Sequence, residues 1–236
     1  MNKITLVYSY FDNPNMLKRH QEEWSKYANK EQFEIIIVDD CSINSPAMEK
    51  LYDTGIKTRL FNVKTQIPWN QDGARNLAMK HTEGWCLLLD MDMLLPKEEA
   101  KILLTYDLDP EQIYKNVMRS TRNNYISCHT NTYLITSKTF WDFGGYDEHF
   151  SGFYGSDYAF KKRLRRFCGE LKSSPILLHA YHGVISDAAT TALGKKNTNY
   201  DIRRDKLMMA RLFLAPKPKN HIRFEWTEVV LKFNDN

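Results

Sequence analysis

The stretch that decides the predicted fold reads Leu87-Leu88-Leu89-Asp90-Met91-Asp92-Met93-Leu94-Leu95-Pro96. Its apolar run, which starts at Trp85, is typical of a strand buried on both faces of a sheet. In an extended segment, the spacing of Asp90 and Asp92 puts both carboxylates on one side, and oxygen ligands on a turn suit Mg²⁺ or Mn²⁺. The alternative is that these aspartates only cap a turn, because an isolated D-x-D occurs by chance in many proteins.

The chain before this stretch alternates predicted strands with predicted helices. Apolar runs predict the strands, while Asn13-Pro14 and Ser45-Pro46 have the composition of helix starts. Continuous apolar strands in this order predict an α/β fold, with a mostly parallel central sheet flanked by helices. The predicted strands are Ile4–Tyr10, Phe33–Val38, Thr58–Val63 and Trp85–Leu89, and the predicted helices follow Asn13-Pro14, run from Ser45 to Tyr52, and run from Asp72 to His81.

The second half of the chain is less regular, and we find neither repeats nor a low-complexity linker in it. One domain is therefore predicted for residues 1–236. Small and polar residues dominate Gly183–Asn199, which favours a mobile loop. The predicted strands here are Asn124–Cys128, Asn131–Thr136, Ile176–Ala180 and Ile222–Trp226, and the predicted helices are Ser137 to a stop at Gly144-Gly145, Ser156–Phe167 and Asp201–Leu214.

The composition excludes several classes of protein. The 236 residues include 33 Lys and Arg against 29 Asp and Glu, a net charge of +4, and 42% are apolar. A disordered tail is excluded, and no nucleic-acid partner is expected. The four cysteines are far apart in the sequence, which fits neither a zinc site nor a redox motif and indicates reduced thiols. The start is too short and polar for a signal peptide, and no run reaches the roughly 18 apolar residues of a membrane span, so we expect a cytoplasmic protein without a transmembrane segment.

Polar residues follow three of the predicted parallel strands. They are Ser9 and Tyr10 at the end of the first strand, Asp39-Asp40 after the second, and Asp90-Met91-Asp92 after the fourth. In an open parallel sheet, ligands bind in the crevice beyond the carboxyl ends of the strands. We therefore predict one cleft that all three groups face.

Together these motifs resemble those of nucleotide-sugar glycosyltransferases with the GT-A fold, of the family-2 type. In that family a polar-aromatic turn follows the first strand, the second strand ends in V-D-D-G-S, and A-R-N precedes a D-x-D strand. The corresponding residues here are Tyr8-Ser9-Tyr10, Val38-Asp39-Asp40-Cys41-Ser42, Ala74-Arg75-Asn76 and Asp90-Met91-Asp92, with Cys41 in place of the glycine. The segment from Phe143 to Asp157 also resembles the G-G-F/Y-D-E-x-F…G-W-G-G-E-D segment of galactosyltransferase-like and polypeptide GalNAc-transferase-like enzymes.

The resemblance implies a nucleotide-sugar site in the first half of the chain. Tyr10 would pack on the nucleobase and Asp40 would accept a hydrogen bond from it, unless Asp40 only caps the turn after the second strand. Arg75 would meet the pyrophosphate, or would instead be a solvated residue of its helix. Ser9 and Met91 complete this predicted site.

A metal site is implied next to it, for Mn²⁺ or Mg²⁺. Asp92 would bind the metal, and Asp90 would contact the ribose or the metal. A histidine is the other predicted ligand, because related transferases place one about 25 residues after their catalytic aspartate. His182 fits this spacing and is favoured over His179, although a histidine is more often structural than a ligand.

The later segment implies the catalytic and acceptor residues. Asp157 takes the place of the family's catalytic aspartate and would act as general base, or would only be a first-turn carboxylate of its helix. Gly145, Phe153 and Tyr154 would contact the acceptor. Phe153 stands where the family has tryptophan, and Ser156 stands where it has glutamate, so the type of acceptor is open.

The resemblance implies a reaction as well. A sugar would pass from a UDP-sugar to a hydroxyl of a glycan, lipid-linked or protein acceptor, with inversion expected, although one similar branch retains configuration. Residues 1–100 would form the nucleotide-binding half, 101–185 the acceptor and catalytic half, and 186–236 a mobile loop, helix and C-terminal strand, with the loop closing over the donor.

Two other functions and one further surface stay open at this point. A sugar-phosphate nucleotidyltransferase would need a glycine-rich loop after the first strand, and residues 8–12 contain no glycine. A nucleotide-sugar or glycan-binding module without turnover is the non-enzymatic alternative. The basic run Lys161–Arg166 is either a solvated helix face or a site of attraction for an anionic lipid-linked or phosphorylated acceptor.

Overall fold

The computed structural model describes residues 3–153, 156–190, 205–219 and 221–233. Within them the strands are β1 Ile4–Tyr10, β2 Phe33–Asp39, β3 Lys57–Val63, β4 Trp85–Leu89, β5 Met93–Leu94, β6 Tyr114–Ser120, β7 Ile126–Thr136, β8 Lys172–Ala180 and β9 Trp226–Val229. The helices are α1 Pro14–Trp24, α2 Gln71–Lys80, α3 Lys97–Thr105, α4 Ser137–Asp142, α5 Asp157–Cys168 and α6 Lys206–Leu214.

These strands form one sheet in the order β5-β8-β6-β7-β4-β1-β2-β3-β9. The block β4-β1-β2-β3 is parallel throughout, while β7 and β9 add to its two edges in the antiparallel direction. Beyond β7, β6 pairs antiparallel with β7 and parallel with β8, and β5 pairs antiparallel with β8. The predicted α/β class, a single domain with a central sheet flanked by helices, is confirmed.

The central strands are apolar because both of their faces are covered. Leu6 of β1 packs into a core cluster on the α1 side of the sheet, and its neighbour Val7 packs into a second cluster on the α2 side. Ile35 and Ile36 of β2 alternate between the same two clusters. Each fully buried side chain of this size contributes roughly 1.5–3 kcal/mol, so the sheet fixes the position of the strand ends firmly.

Several predicted elements differ from the structure. The two strands predicted at 124–128 and 131–136 are one strand, β7, while β6 and α3 were not predicted. The start of α3 is held from another helix, because the carboxylate of Glu23 accepts a hydrogen bond from the Lys97 N–H at 3.0 Å. The short helix predicted at Ser45–Tyr52 is only a 3₁₀ turn at Ala47–Glu49. Pairing with distant segments decides these elements more than the local pattern does.

The cap of α1 is also different from the predicted one. The side chain of Asn13 does not cap the helix. Instead, the carboxylate of Asp187 accepts hydrogen bonds from the N–H groups of Asn15 at 2.6 Å and Met16 at 3.1 Å. The first part of the predicted mobile loop, Gly183 to Thr190, is therefore anchored to α1, and residues 191–199 lie outside the described residues.

The C-terminal helix lies close to its predicted place, whereas the strand predicted at Ile222–Trp226 is β9 at Trp226–Val229 and shares only Trp226 with the prediction. Residues 201–204 lie outside the described residues, and α6 begins at Lys206, where the Asp205 carboxylate accepts a hydrogen bond from the Met208 N–H. Strand β9 completes the sheet edge next to β3. Among the helices that the structure describes, none has the length and apolar character needed to cross a membrane.

Candidate active site

A cavity of about 270 Å³ opens at the carboxyl ends of β1, β2 and β4. The strand ends meet there, as predicted from the parallel order. The predicted site residues that line it are Ser9, Tyr10, Asp40, Asp90, Met91, Asp92, Asp157 and His182.

The two aspartates after β2 have different surroundings. Asp39 accepts hydrogen bonds from the backbone N–H groups of Ser42 at 2.8 Å and Ala47 at 2.7 Å, so it holds the loop that follows the strand. Asp40 faces the cavity and accepts a hydrogen bond from Asn70 Nδ2 at 2.9 Å. Burial raises the pKa of Asp40 to about 7. The turn-holding role considered for Asp40 therefore belongs to Asp39.

Cys41 occupies a left-handed backbone conformation. Its φ is 62°, a region that glycine adopts without the cost a Cβ brings. This accounts for the glycine in the motif that the sequence resembles. The chain reaches the same loop shape with a cysteine, at a cost on the order of 1 kcal/mol.

The turn after β1 places aromatic rings and one hydroxyl at the cavity. The Tyr10 ring is buried, and its hydroxyl donates to the Ser45 carbonyl at 2.5 Å, which ties β1 to the loop after β2. Ser9 Oγ is buried and has no hydrogen-bond partner among the described residues. Phe11 and Trp69 also line the cavity, and neither was predicted. A ligand with a flat ring and a polar group matches these features.

The turn that carries Asp90 and Asp92 is held from two sides. Asp90 Oδ1 accepts hydrogen bonds from Arg75 Nη2 and Gln71 Nε2, each at 2.5 Å. From α1, His20 Nε2 lies 2.8 Å from the Met91 carbonyl, and burial lowers the pKa of His20 to about 4, so the neutral ring donates there. Three residues outside the D-x-D motif thus fix its geometry.

Asp90, Asp92 and His129 could together hold a metal ion. Each offers one ligand atom, and these atoms all lie within 4.8 Å of one another. His182 lies on the other side of Asp92, with Nδ1 3.5 Å from Asp92 Oδ2. Two carboxylates and imidazole suit Mn²⁺ or Mg²⁺ with imidazole favouring the former, so the donor set fits the predicted ion.

His129 was not predicted, and its ring nitrogens have separate surroundings. Nδ1 accepts a hydrogen bond from the Asn131 N–H at 3.3 Å, and Nε2 lies 3.6 Å from Asp90 Oδ2. Burial lowers the pKa of His129, so the ring is neutral near pH 7 and Nε2 carries the proton while that bond lasts. Binding of a metal at Nε2 therefore requires the ring to give up its contact with Asn131.

Asp157 faces the cavity from the first turn of α5. Burial raises its pKa, and the charge of Asp90 raises it further. Asp72, buried at the start of α2, has its pKa raised to about 7 by burial and by the charge of Asp157. A carboxylate with a raised pKa holds a proton more tightly, which is the property a general base needs.

The remaining predicted residues lie elsewhere. Arg75 is buried behind Asp90 rather than at the cavity lining, and His179 lies within β8 opposite Leu94. A Cβ on Gly145 would come within 2.8 Å of Asn76 Oδ1, so this glycine is required by packing in the core. Phe153 packs against the cluster of Phe150 and Ala159, and Tyr154 lies outside the described residues.

One group of unpredicted residues at the cavity comes from the strand next to β4. Because β7 runs antiparallel to β4, its first residues, which include His129 and Asn131, lie beside the turn that follows β4. No local pattern in the sequence predicts this pairing. Two further unpredicted polar residues, Asn70 and Gln71, lie at the start of α2, and the A-R-N motif that follows them was the available signal.

Comparison with protein families gives one match. The model described as glycosyl transferase family 2 matches residues 11–162. A search of curated proteins finds no significant match.

Comparison with solved structures gives matches at low sequence identity. S. aureus TarS 1–349 has a TM-score of 0.60 and 14% identity over 75% of this chain and 57% of that one, and TarS has been crystallised with UDP and with UDP-GlcNAc. The mannosyltransferase PcManGT from Pyrobaculum calidifontis, in complex with GDP-Man and Mn²⁺, has a TM-score of 0.58 and 12% identity, covering 75% and 56%. GalNAc-T7 with UDP, GalNAc and Mn²⁺ has a TM-score of 0.58 and 12% identity, covering 76% and 42%. At these identities the likeness is one of fold, and the chain spans 57% of TarS 1–349 and 36% of the longer TarS chain.

Proposed function

The chain belongs to glycosyl transferase family 2 and is a glycosyltransferase with the GT-A fold, and we propose that it transfers a sugar from a UDP-sugar to an acceptor hydroxyl with the help of a divalent cation. The observation that carries this proposal is the set of carboxylates around one cavity at the strand ends. Asp90 and Asp92 lie with His129 on one part of its wall, Asp40 on another, and Asp157 at the first turn of α5. The structural relatives crystallised with UDP and with Mn²⁺ support the choice of donor and ion.

Asp40 and the aromatic rings support a uridine nucleotide. The ring nitrogen of uracil carries a proton, which the Asp40 carboxylate can accept as a hydrogen bond. Phe11 and Trp69 offer flat apolar surfaces at the same cavity, and the partnerless Ser9 hydroxyl offers a polar contact. A hydrogen bond from the base also favours the charged form of Asp40, whose pKa burial otherwise raises.

The cation would be held by Asp92, with Asp90 and a histidine beside it. A divalent ion bound there supplies a positive charge that neutralises a departing diphosphate. Arg75 orients Asp90 through its buried ion pair, and His20 holds the carbonyl of the residue between the two aspartates. These residues hold the turn in place through contacts within the protein itself.

Asp157 would take the proton from the acceptor hydroxyl as the sugar is transferred. The raised pKa of Asp157 makes it a stronger base than an exposed aspartate. Attack from the face of the sugar opposite the diphosphate would invert the configuration. Asp157 is the first residue of α5, where the helix dipole favours a negative charge and so opposes part of the rise in pKa that burial causes.

A thermal-shift screen of nucleotides and nucleotide sugars, with and without Mn²⁺, tests this proposal. Ligand binding raises the melting temperature by an amount that depends on ligand concentration relative to Kd. We expect the largest shift for a UDP-sugar with Mn²⁺, and a smaller shift for the matched GDP and ADP compounds. Equal shifts for UDP and GDP would remove the assigned role of Asp40. Release of free sugar from the shifted donor, measured in the same samples, distinguishes an active enzyme from a binding module.

A further inference from the structure

Helix α6 exposes large apolar side chains to solvent. None of its residues is buried. Met208 and Leu212 pack on the cluster formed by Phe150 and Ala159, and Arg211 donates two hydrogen bonds to Asp147. The outward side chains are Leu207, Met209, Phe213 and Leu214, of which the first is 72% and the third 71% exposed. Several large apolar side chains exposed together on one helix indicate a place of contact with a partner or a membrane.

Positive charge borders these side chains. Helix α5 contains five Lys or Arg residues against one acidic residue, although one of the five, Arg163, is buried, and α6 contains two against none. Lys162 Nζ donates to the Phe213 carbonyl at 2.5 Å and lies 4.1 Å from the centre of the Phe213 ring. Arg166 Nη1 donates to the Leu214 carbonyl at 3.0 Å. These bonds hold the C-terminal end of α6 against α5, but they do not explain why Leu207, near the other end of α6, is exposed.

We propose that this surface, the α6 face (Leu207, Met209, Phe213 and Leu214 with Lys162 and Arg166), binds an anionic lipid membrane surface. A helix with apolar side chains on its outer face and cations along the border lies in the plane of a membrane interface, where the cations meet anionic head groups. A second copy of the chain suits this face less well, because a symmetric contact would bring the like charges of the two α5 helices together.

The α6 face adjoins the Asp157 end of the cavity. Phe153, four residues before Asp157, packs in the same cluster as Met208 of α6. Tyr158, which follows Asp157, is 56% exposed and lies one helical turn before Lys162. Tyrosine is enriched where a protein meets a membrane interface. A membrane bound at the α6 face would thus lie near the catalytic end of the cavity, and the binding itself requires neither donor nor metal.

Vesicle co-sedimentation of the full chain tests this proposal. The probes are phosphatidylcholine vesicles with and without phosphatidylglycerol, at low and high salt. We expect binding to the anionic vesicles that weakens with salt because exposed charges are screened. The triple variant L207Q/F213Q/L214Q should bind roughly tenfold more weakly or worse, and Lys162→Gln roughly fivefold more weakly. Val230→Gln, at an exposed apolar residue outside both helices, is the matched control and should bind like the wild type.

Three results would overturn the proposal. The first is that the wild type does not bind anionic vesicles at low salt, and the second is that the triple variant binds them as well as the wild type does. The third is that light scattering shows a dimer for the wild type and a monomer for the triple variant. Melting curves and UDP binding check that the variants fold. If the triple variant melts early, Leu207→Gln alone carries the test, since that side chain is the most exposed of the four. Loss of vesicle binding with UDP binding intact separates this proposal from the proposed function.

Discussion

The cavity has two sides that hold their carboxylates in different ways. At the strand ends, Asp39 is fixed by two backbone N–H groups, and Asp90 is fixed by Arg75 and Gln71. On the side formed by α5, Asp157 stands at a helix start, with a pKa raised by burial and by the charge of Asp90.

This difference indicates that the strand-end side binds the ligand and that the α5 side takes part in proton transfer. Each aspartate pair at a strand end has one member held by several hydrogen bonds, Asp39 or Asp90, and a second member at the cavity, Asp40 or Asp92. Asp90 lines the cavity as well. Such preorganised groups suit the recognition of a nucleotide and an ion. A carboxylate with a raised pKa at the other side suits proton transfer. The account therefore expects variants on the two sides to change different measured quantities.

The largest expected effect is on the rate of transfer, from Asp157→Asn. The amide keeps the shape but cannot take a proton, so the rate should fall about 10²- to 10⁴-fold while donor affinity stays nearly unchanged. The measurement is the rate constant for transfer beside the UDP-sugar Kd on one purified protein. Asp142→Asn, at an exposed aspartate of α4, is the matched control.

Lower stability with near-normal turnover in Asp157→Asn would contradict the separate roles of the two sides. If Asp157 is only a helix-terminal carboxylate, its replacement lowers the free energy of unfolding by about 0.3–1 kcal/mol and leaves turnover nearly intact. Near-normal turnover would leave Asp147 or Glu148 as the next bases to test. Asp147 already accepts two hydrogen bonds from Arg211, and Glu148 accepts from the N–H groups of Ile222 and Arg223, so both have structural roles.

Asp90→Asn comes next and should affect both binding and stability. The variant leaves the buried Arg75 guanidinium without a carboxylate, which destabilises the fold. Loss of an orienting partner at a metal site typically costs 10- to 100-fold in affinity, so we expect a fall of about that size in Mn²⁺-dependent UDP affinity. Denaturant unfolding and calorimetry measure the two effects. Unchanged stability in Asp90→Asn would contradict the turn-holding role.

Much of the strand-end side could be predicted from the sequence. Strands β1, β2 and β4 are covered on both faces, so they appear as uninterrupted apolar runs, and the polar residues after them mark the cavity. Asp40, Asp90 and Asp92 were placed by this rule alone. The sequence could not tell which member of each pair fixes the turn, because that depends on the loop that folds back, as with Ala47 and Asp39.

The parts of the site that were not predicted depend on contacts between distant segments. His129 reaches the site because β7 pairs antiparallel with β4, and β7 was predicted as two separate strands. Asp187 caps α1 across 171 residues of chain from Met16, a contact that no local pattern predicts. Small and polar residues around Asp187 favoured a mobile loop, but the described part, Gly183 to Thr190, is held by this carboxylate, by backbone hydrogen bonds and by the buried Ala188.

Asp40→Asn should change the dependence of stability on pH. The folded pKa of Asp40 is about 7, above the unfolded value, so between about pH 4 and pH 7 the folded state binds more protons than the unfolded state. Stability due to this group is present at low pH and is lost as the pH rises through 7, by up to about 1.4 kcal/mol per pH unit. The variant should flatten this slope in denaturant unfolding curves, while Asp72 keeps its own contribution. An unchanged slope would contradict the burial of an ionisable Asp40.

Asp187→Ala has the smallest expected effect. Loss of the two hydrogen bonds to the start of α1 should lower the free energy of unfolding by about 1 kcal/mol, with little change in UDP affinity. Asp53→Ala, which removes an exposed local bond to the Gly55 N–H, serves as the control. A loss of UDP affinity greater than the loss of stability would show that the segment around Asp187 belongs to the binding side rather than linking the two sides.

The central claim is that the strand-end aspartates form a metal-dependent nucleotide site, and calorimetry of UDP binding tests it most directly. Wild-type protein and Asp92→Asn are titrated with UDP, each with and without Mn²⁺. The account predicts that Mn²⁺ strengthens UDP binding to the wild type and has no such effect on the variant. The melting temperature of the variant should equal that of the wild type, which shows that its fold is unchanged. Mn²⁺-dependent UDP affinity that is undiminished in Asp92→Asn would contradict it.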